Sequence, residues 1–273
     1  TLNAAECFDL KDRGAIAPGY RGDVVLLDDL KDFHVNRVFI EGALVAEEGK
    51  YLPEIKKCDI SSVKGSVIVK DFSKEKFKMN LKSNKVNVIK ILPGGVVTAK
   101  DTAEIELDAN GEFVRNPEVD LVKVAVVERH QGTGNVACGF LKGYGIKEGA
   151  VALSVAHDSH NIIVVGVNDE EMEFAVNSLI EQEGGIVLVK EGKVIESMPM
   201  PIAGLMSDQS GEWVDQKLTD IHEKAYEELG ICGDVEPVMT LCFMSLAVIP
   251  EIKLTDMGLF DVTTFSFIPV EVE

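Results

Sequence analysis

Apolar positions in this chain fall mostly in short runs closed by glycine, proline or Asn-Gly punctuation, which is the pattern of strands rather than helices. Asp23 to Leu27 reads as a buried strand. Arg37 to Ile40 and Ala43 to Ala46 flank Glu41-Gly42 and predict a tight hairpin. A polar connector with Pro53 runs from Tyr51 to about Lys64, and a boundary is placed near Ser62. Beyond it, strands are expected at Val67–Val69, Val86–Leu92, Gly95–Ala99, Ala103–Leu107, Leu121–Val127, Val151–Ala156 and Ile162–Val167. Pro93-Gly94-Gly95 and Asn110-Gly111 supply turns between them. A further hairpin joins Ile186–Lys190 to Lys193–Glu196 through Glu191-Gly192.

Helical periodicity is confined to a few stretches. Thr1 to Phe8 is helix-like. Met172, Ala175, Val176, Leu179 and Ile180 recur at helical spacing after Asn168, an N-cap, with Glu171 completing a capping box, and Gly184 or Gly185 ends the helix. A second amphipathic helix begins near Ser207–Ser210, with a stripe of Val214, Leu218, Ile221, Ala225 and Leu229 closed by Gly230. Asp208 is a candidate N-cap for it. Helices and strands interleave, so the chain is a mixed α/β (α+β) protein, divided into segments 1–62 and 63–273.

Composition narrows the field of functions. The chain has 273 residues, 46% of them hydrophobic and 27% charged, with a formal net charge of −19. That charge argues against duplex nucleic acid and anionic membrane as partners, since both need a basic surface. The longest apolar stretch, from Val238 to Ile249, is about twelve residues, shorter than the roughly 20 that span a bilayer. Five cysteines (Cys7, Cys58, Cys138, Cys232 and Cys242) form no CxxC pair and are odd in number, which predicts reduced, mostly buried thiols in a reducing compartment, the cytoplasm. The chain opens at Thr1 directly into a helix-like segment, as expected of a truncated or processed chain or a fragment.

Two points concentrate chemistry. His157-Asp158-Ser159-His160-Asn161 lies between two apolar strands, where five polar side chains must be hydrogen-bonded, exposed or in use. His157 and His160, at i and i+3, can face one side and hold a divalent metal with Asp158, or orient a polar ligand. The plainer alternative is a turn in which Asp158 and Asn161 bond to backbone. Glu128-Arg129-His130 follows the Leu121–Val127 strand, a rigid base for functional groups, and Gly132-Thr133-Gly134 lets backbone approach a ligand closely. A surface Glu–Arg pair explains the same residues. His34 and His222 read as surface or packing histidines, and Asp256 as a cap or turn residue. There is no Gly-x-Ser-x-Gly elbow and no His-x-His.

Several of these stretches carry a family resemblance. Thr1 to Gly19 with Asp23 to Leu27 resembles the closing segment of the amidohydrolase (metallo-dependent hydrolase) superfamily, where a last barrel helix leads into a small β domain. Gly22-Asp23 departs mildly from the usual Ala-Asp. Glu128-Arg129-His130, Gly132-Thr133-Gly134, Gly139-Phe140, Gly143, Val155 to Asn161, Pro201 to Asp208, and Pro250 to Leu254 with Thr255-Asp256 resemble, in order, the C-terminal domain of bacterial adenine deaminases. The resemblance implies hydrolytic deamination of adenine to hypoxanthine and ammonia in purine salvage. It also implies a divalent metal, manganese or iron, in a TIM barrel absent from this sequence, and a homo-oligomer. On that reading the chain is inactive alone and has the missing barrel as its partner. His157, Asp158 and His160 are the candidate catalytic residues. Glu128, Arg129, His130, Ser159 and Asn161 are candidates for binding adenine or closing over the site. A structural or oligomerisation module, an amidohydrolase for another purine or cyclic amide, and a metal site within the chain using His157, Asp158, His160 and His130 remain the alternatives.

Overall fold

The computed structural model describes residues 1–272. The chain forms two compact units, Thr1–Asp59 and Ile60–Glu273.

The first unit holds a short helix, α1 (Leu2–Cys7), and an antiparallel meander of four strands: β1 (Val24–Leu27), β2 (Val35–Ile40), β3 (Ala43–Glu47) and β4 (Lys50–Tyr51). Glu41 and Gly42 turn the β2–β3 hairpin with φ of 52° and 80°, both in the left-handed region that such two-residue turns require. The expected buried strand at Asp23–Leu27 is corrected: Val25 and Leu26 are exposed at 53% and 43%. A four-stranded sheet with one short helix has too little apolar cover to enclose them.

The second unit is built on an eight-stranded sheet. Its strands are β5 (Lys85–Ile91), β6 (Thr98–Glu104), β9 (Leu121–Val127), β10 (Val136–Lys142), β11 (Ala150–Leu153), β12 (Ile162–Gly166), β13 (Gly185–Lys190) and β14 (Lys193–Pro199). Between β6 and β9 a small hairpin pairs β7 (Glu106–Leu107) with β8 (Phe113–Val114) around Asn110-Gly111. The sheet order is β14-β13-β11-β12-β9-β10-β5-β6, antiparallel except where β10 runs parallel to β5. Its helices are α2 (Asp169–Glu181), α3 (Gly211–Glu227) and α4 (Met239–Cys242). Near the C-terminus β15 (Ile252–Thr255), β16 (Gly258–Asp261) and β17 (Ser266–Phe267) form a separate sheet. Among the described residues there is no closed barrel, and no helix is long and apolar enough to cross a membrane.

Burial on both faces explains why β9 is apolar almost throughout. Ala125 and Val127 join the cluster formed by Met172, Ala175, Val176 and Leu179 of α2. Val122, Val124 and Val126 face the other cluster, with Ile221 and Ala225 of α3 and Leu254 of β15. Lys123 is buried as well, but its ammonium donates to Asp169 at 2.7 Å and to the Phe77 carbonyl at 3.0 Å, so the charge is paired. Asn168 caps α2, accepting from the Glu171 amide at 2.8 Å. The second half of the expected capping box does not form, because the Glu171 carboxylate accepts from the Gly192 amide in the β13–β14 turn instead. Ser210, not Asp208, caps α3.

Other expectations are corrected. Val67–Val69 pairs with no strand; its Ile68 amide donates to the Arg129 carbonyl. Gly95–Val97 lies outside the strand that starts at Thr98, and β11 ends at Leu153, before the expected Ala156. All five cysteines are free, but Cys7, Cys58 and Cys232 are exposed, so the thiols are not mostly buried.

Candidate functional site

Strand pairing brings the two chemically dense segments together. β9 and β12 are antiparallel neighbours with Val127 opposite Ile162, so the exit of β9 and the entry of β12 lie at the same end of the sheet. Glu128-Arg129-His130 leaves there, and the 157–161 loop arrives.

Arg129 joins the two. Its side chain is 1% exposed. Nε donates to the His160 carbonyl at 2.5 Å, Nη2 to the Ala203 carbonyl at 3.2 Å, and the Arg129 amide to Asn161 Oδ1 at 3.3 Å. Nη1 lies enclosed without a partner among the described residues. Burial lowers the guanidinium's proton affinity, and the neighbouring Glu128 charge opposes that effect. Gly204, at φ 71°, lies so close that a Cβ there would stand 2.7 Å from Nη1. A side chain at this position would displace the guanidinium.

Glu128 organises the turn that follows. One carboxylate oxygen accepts from the amides of His130 and Gln131, the other from the amide and hydroxyl of Thr133, at 2.6 to 3.1 Å. Burial pushes this carboxyl up, but the amides of Gln131, Thr133 and His130 outweigh it and hold it below its usual range. The surface Glu–Arg pair considered for these residues is not what forms: both side chains are buried and turned onto backbone.

In the 157–161 loop the His157 and His160 rings stand 5.2 Å apart, centroid to centroid, as the i, i+3 spacing predicts, and His157 packs on Phe243 at 4.8 Å. His160 has φ of 53°, and its Nδ1 is enclosed without a partner among the described residues. Burial, then the nearby His157 and Arg129, lower its basicity, while Asp158 opposes them. Asp158 and Ser159 are exposed. The Ser159 carbonyl meets His130 Nε2 at 2.7 Å, a second tie between the segments. Asn161 is 4% exposed and donates to Asp256 at 3.2 Å.

Asp256, which reads from the sequence as a cap or turn residue, joins the cluster. In the structure its two carboxylate oxygens take the side-chain amides of Asn161 and, at 3.4 Å, Asn135. Ala203 and Gly204 also belong here, and their membership of the Pro201–Asp208 motif was the available signal. The internal metal reading is not supported by the geometry. Among the described residues no three His, Cys, Asp or Glu side chains group as a metal site, and His130 Nε2 faces a carbonyl. His34 pairs with Asp28 and His222 with Glu236. A cavity of about 470 Å³ at the far end of β9 and β12, bordered by Lys123, Arg115 and Asn168, had no counterpart in the sequence reading.

Comparison with known proteins places these segments in context. Residues 95–266 match the family described as the adenine deaminase C-terminal domain. Adenine deaminase 2 of Desulfotalea psychrophila is 66% identical over 271 residues, 99% of this chain and 47% of that protein. Adenine deaminase of Ligilactobacillus salivarius is 48% identical over 273 residues, covering 100% of this chain and 47% of that protein. The chain thus spans about half the length of the curated relatives it matches.

Proposed function

Since the chain belongs to the adenine deaminase family, we propose that it works as the C-terminal part of an enzyme converting adenine and water to hypoxanthine and ammonia, a purine-salvage reaction of the cytoplasm. The supporting observation is the meeting of Glu128–His130, the 157–161 loop and Asp256 at one end of a rigid sheet, within a chain that matches such enzymes along its length.

On this reading His157, Asp158 and His160 are the side chains offered to the reaction. Arg129 holds the loop's backbone at the His160 carbonyl, Asn161 ties the loop to the Arg129 amide and to Asp256, and Glu128 shapes the turn beneath His130. An uncharged His160 can offer a ring N–H to the attacking water or the departing ammonia, a hydrogen bond that holds the reacting group in place. The divalent metal, manganese or iron, has no ligand group among the described residues. On this reading it is held by the part of the relatives that this chain does not span. Self-association is part of the same proposal and is read by light scattering.

The test is a chimera in which this chain replaces the corresponding half of the Desulfotalea psychrophila protein, assayed for adenine-dependent ammonia release. Turnover that falls in His157→Ala and His160→Ala, with metal content unchanged, supports the reading. Unchanged turnover in both variants refutes it. That result would favour a structural module, the role suggested by how fully Glu128 and Arg129 are turned onto backbone. Other purines and cyclic amides in the same assay decide the substrate.

A further inference from the structure

Arg129 stands apart from the other groups of the cluster. It is 1% exposed, and it is bonded to the backbone of both the 157–161 loop and the turn at Ala203. Without it the His160 and Ala203 carbonyls would lose their charged donor in a buried setting. His160 needs such a hold, because a non-glycine residue at φ 53° is stable only where its surroundings over-determine it. Of the two His160 ring nitrogens, only Nδ1 is enclosed without a partner among the described residues, so Nε2 is the one left accessible.

We propose that Arg129 is a positioning residue for His160: by gripping the His160 carbonyl it orients the imidazole with Nδ1 against the protein, so Nε2 is the one nitrogen available to hydrogen-bond a purine or water. This deepens the reading of the 157–161 loop as part of the active site and rests on it. An enclosed Nδ1 with no acceptor has nowhere to place a proton, so the neutral ring carries its proton on Nε2. The groups facing the ring reinforce this. His157, Arg129 and His130 all disfavour a charged imidazole, and Asp158 alone favours one.

Two variants test the idea. Arg129→Met removes both the charge and the grip. Gly204→Ala leaves the charge but drives a methyl against the guanidinium, and it stands in if Arg129→Met does not fold. The first measurement is nitrogen NMR of the His160 ring in this chain, which needs no activity. The wild-type ring is expected as the Nε2–H tautomer with a midpoint below about 6.5. In the variants the tautomers are expected to mix, and in Arg129→Met the midpoint rises. A ring signal unchanged in either folded variant overturns the proposal.

The second measurement is turnover in the chimera. Arg129→Met is expected to lower kcat about a hundredfold, the scale of a misplacement of about 1 Å, with KM little changed. The double variant with His160→Ala should be no slower than His160→Ala alone. Additive losses would mean that Arg129 acts independently of His160, which overturns the positioning role. If His160→Ala alone leaves turnover intact, it is the active-site reading that fails, and the NMR result still decides whether Arg129 orients the ring.

Discussion

Replacing Lys253 with methionine is expected to stabilise this protein at neutral pH. Lys253 sits on β15 at 0% exposure, and its Nζ donates to the Val96 carbonyl at 3.1 Å. No carboxylate pairs with it among the described residues, and burial alone lowers its ammonium from 10.5 to about 8. A folded-state value below the unfolded one means that the unfolded chain binds more protons between the two, so stability rises as pH climbs through that window. At pH 7 both states are protonated and the folded state carries the full penalty. A shift of 2.5 units, from 10.5 to about 8, at about 1.4 kcal/mol each corresponds to about 3 kcal/mol. Methionine keeps the unbranched stem but loses the bond to Val96, a loss of about 1 kcal/mol. The net gain at pH 7 is then about 2 kcal/mol, or roughly 5 °C in Tm for a domain of this size. Thermal melts of wild type and Lys253→Met from neutral to alkaline pH provide the assay. The gap between them should close above about pH 8 and reverse slightly once the unfolded lysine also loses its proton. A variant less stable than wild type at neutral pH, or a gap independent of pH, would refute the reasoning.

Two other changes follow from the same structure. The Glu128 carboxyl is held below its usual value of 4.5, so its contribution is present above that pH and lost as pH falls through its lower folded value. Glu128→Gln should therefore flatten the acid limb of the stability profile, as read by acid titration of circular dichroism. Leu179 on α2 is 0% exposed and packs in the layer with Val164 and Val187. Leu179→Ala should lower stability by about 3 kcal/mol in urea unfolding with little change in slope, and a loss under about 1 kcal/mol would mean the layer collapses into the space.

Legibility along the chain followed the kind of signal. β9 and α2 were readable because periodicity and caps are local, and both faces of β9 are buried, so nothing interrupted its apolar run. β10 was missed although it is central: Gly139 breaks its pattern, and its place comes from pairing with β9 and, in parallel, with β5. Val67–Val69 has the apolar pattern of a strand without being one, because Val67 and Val69 pack against the α2-side core without joining the sheet. Glu171 was expected to close its own helix cap but turned to Gly192, a partner that only the β13–β14 hairpin brings near.

The candidate site divides in the same way. The density of His157–Asn161 and Glu128–His130 was a property of the sequence, since polar runs between apolar strands stand out without any structure. The sequence also carried the family, through motifs in fixed order. What those residues do to one another depended on contacts across 29 to 95 residues of chain: Arg129 on His160 and Ala203, His130 on Ser159, and Asn161 on Asp256. A hydrogen bond depends on distance and angle, and strand pairing sets both. Hence the tertiary structure alone turned Arg129 from a surface ion-pair candidate into a buried anchor and brought Asp256 into the cluster.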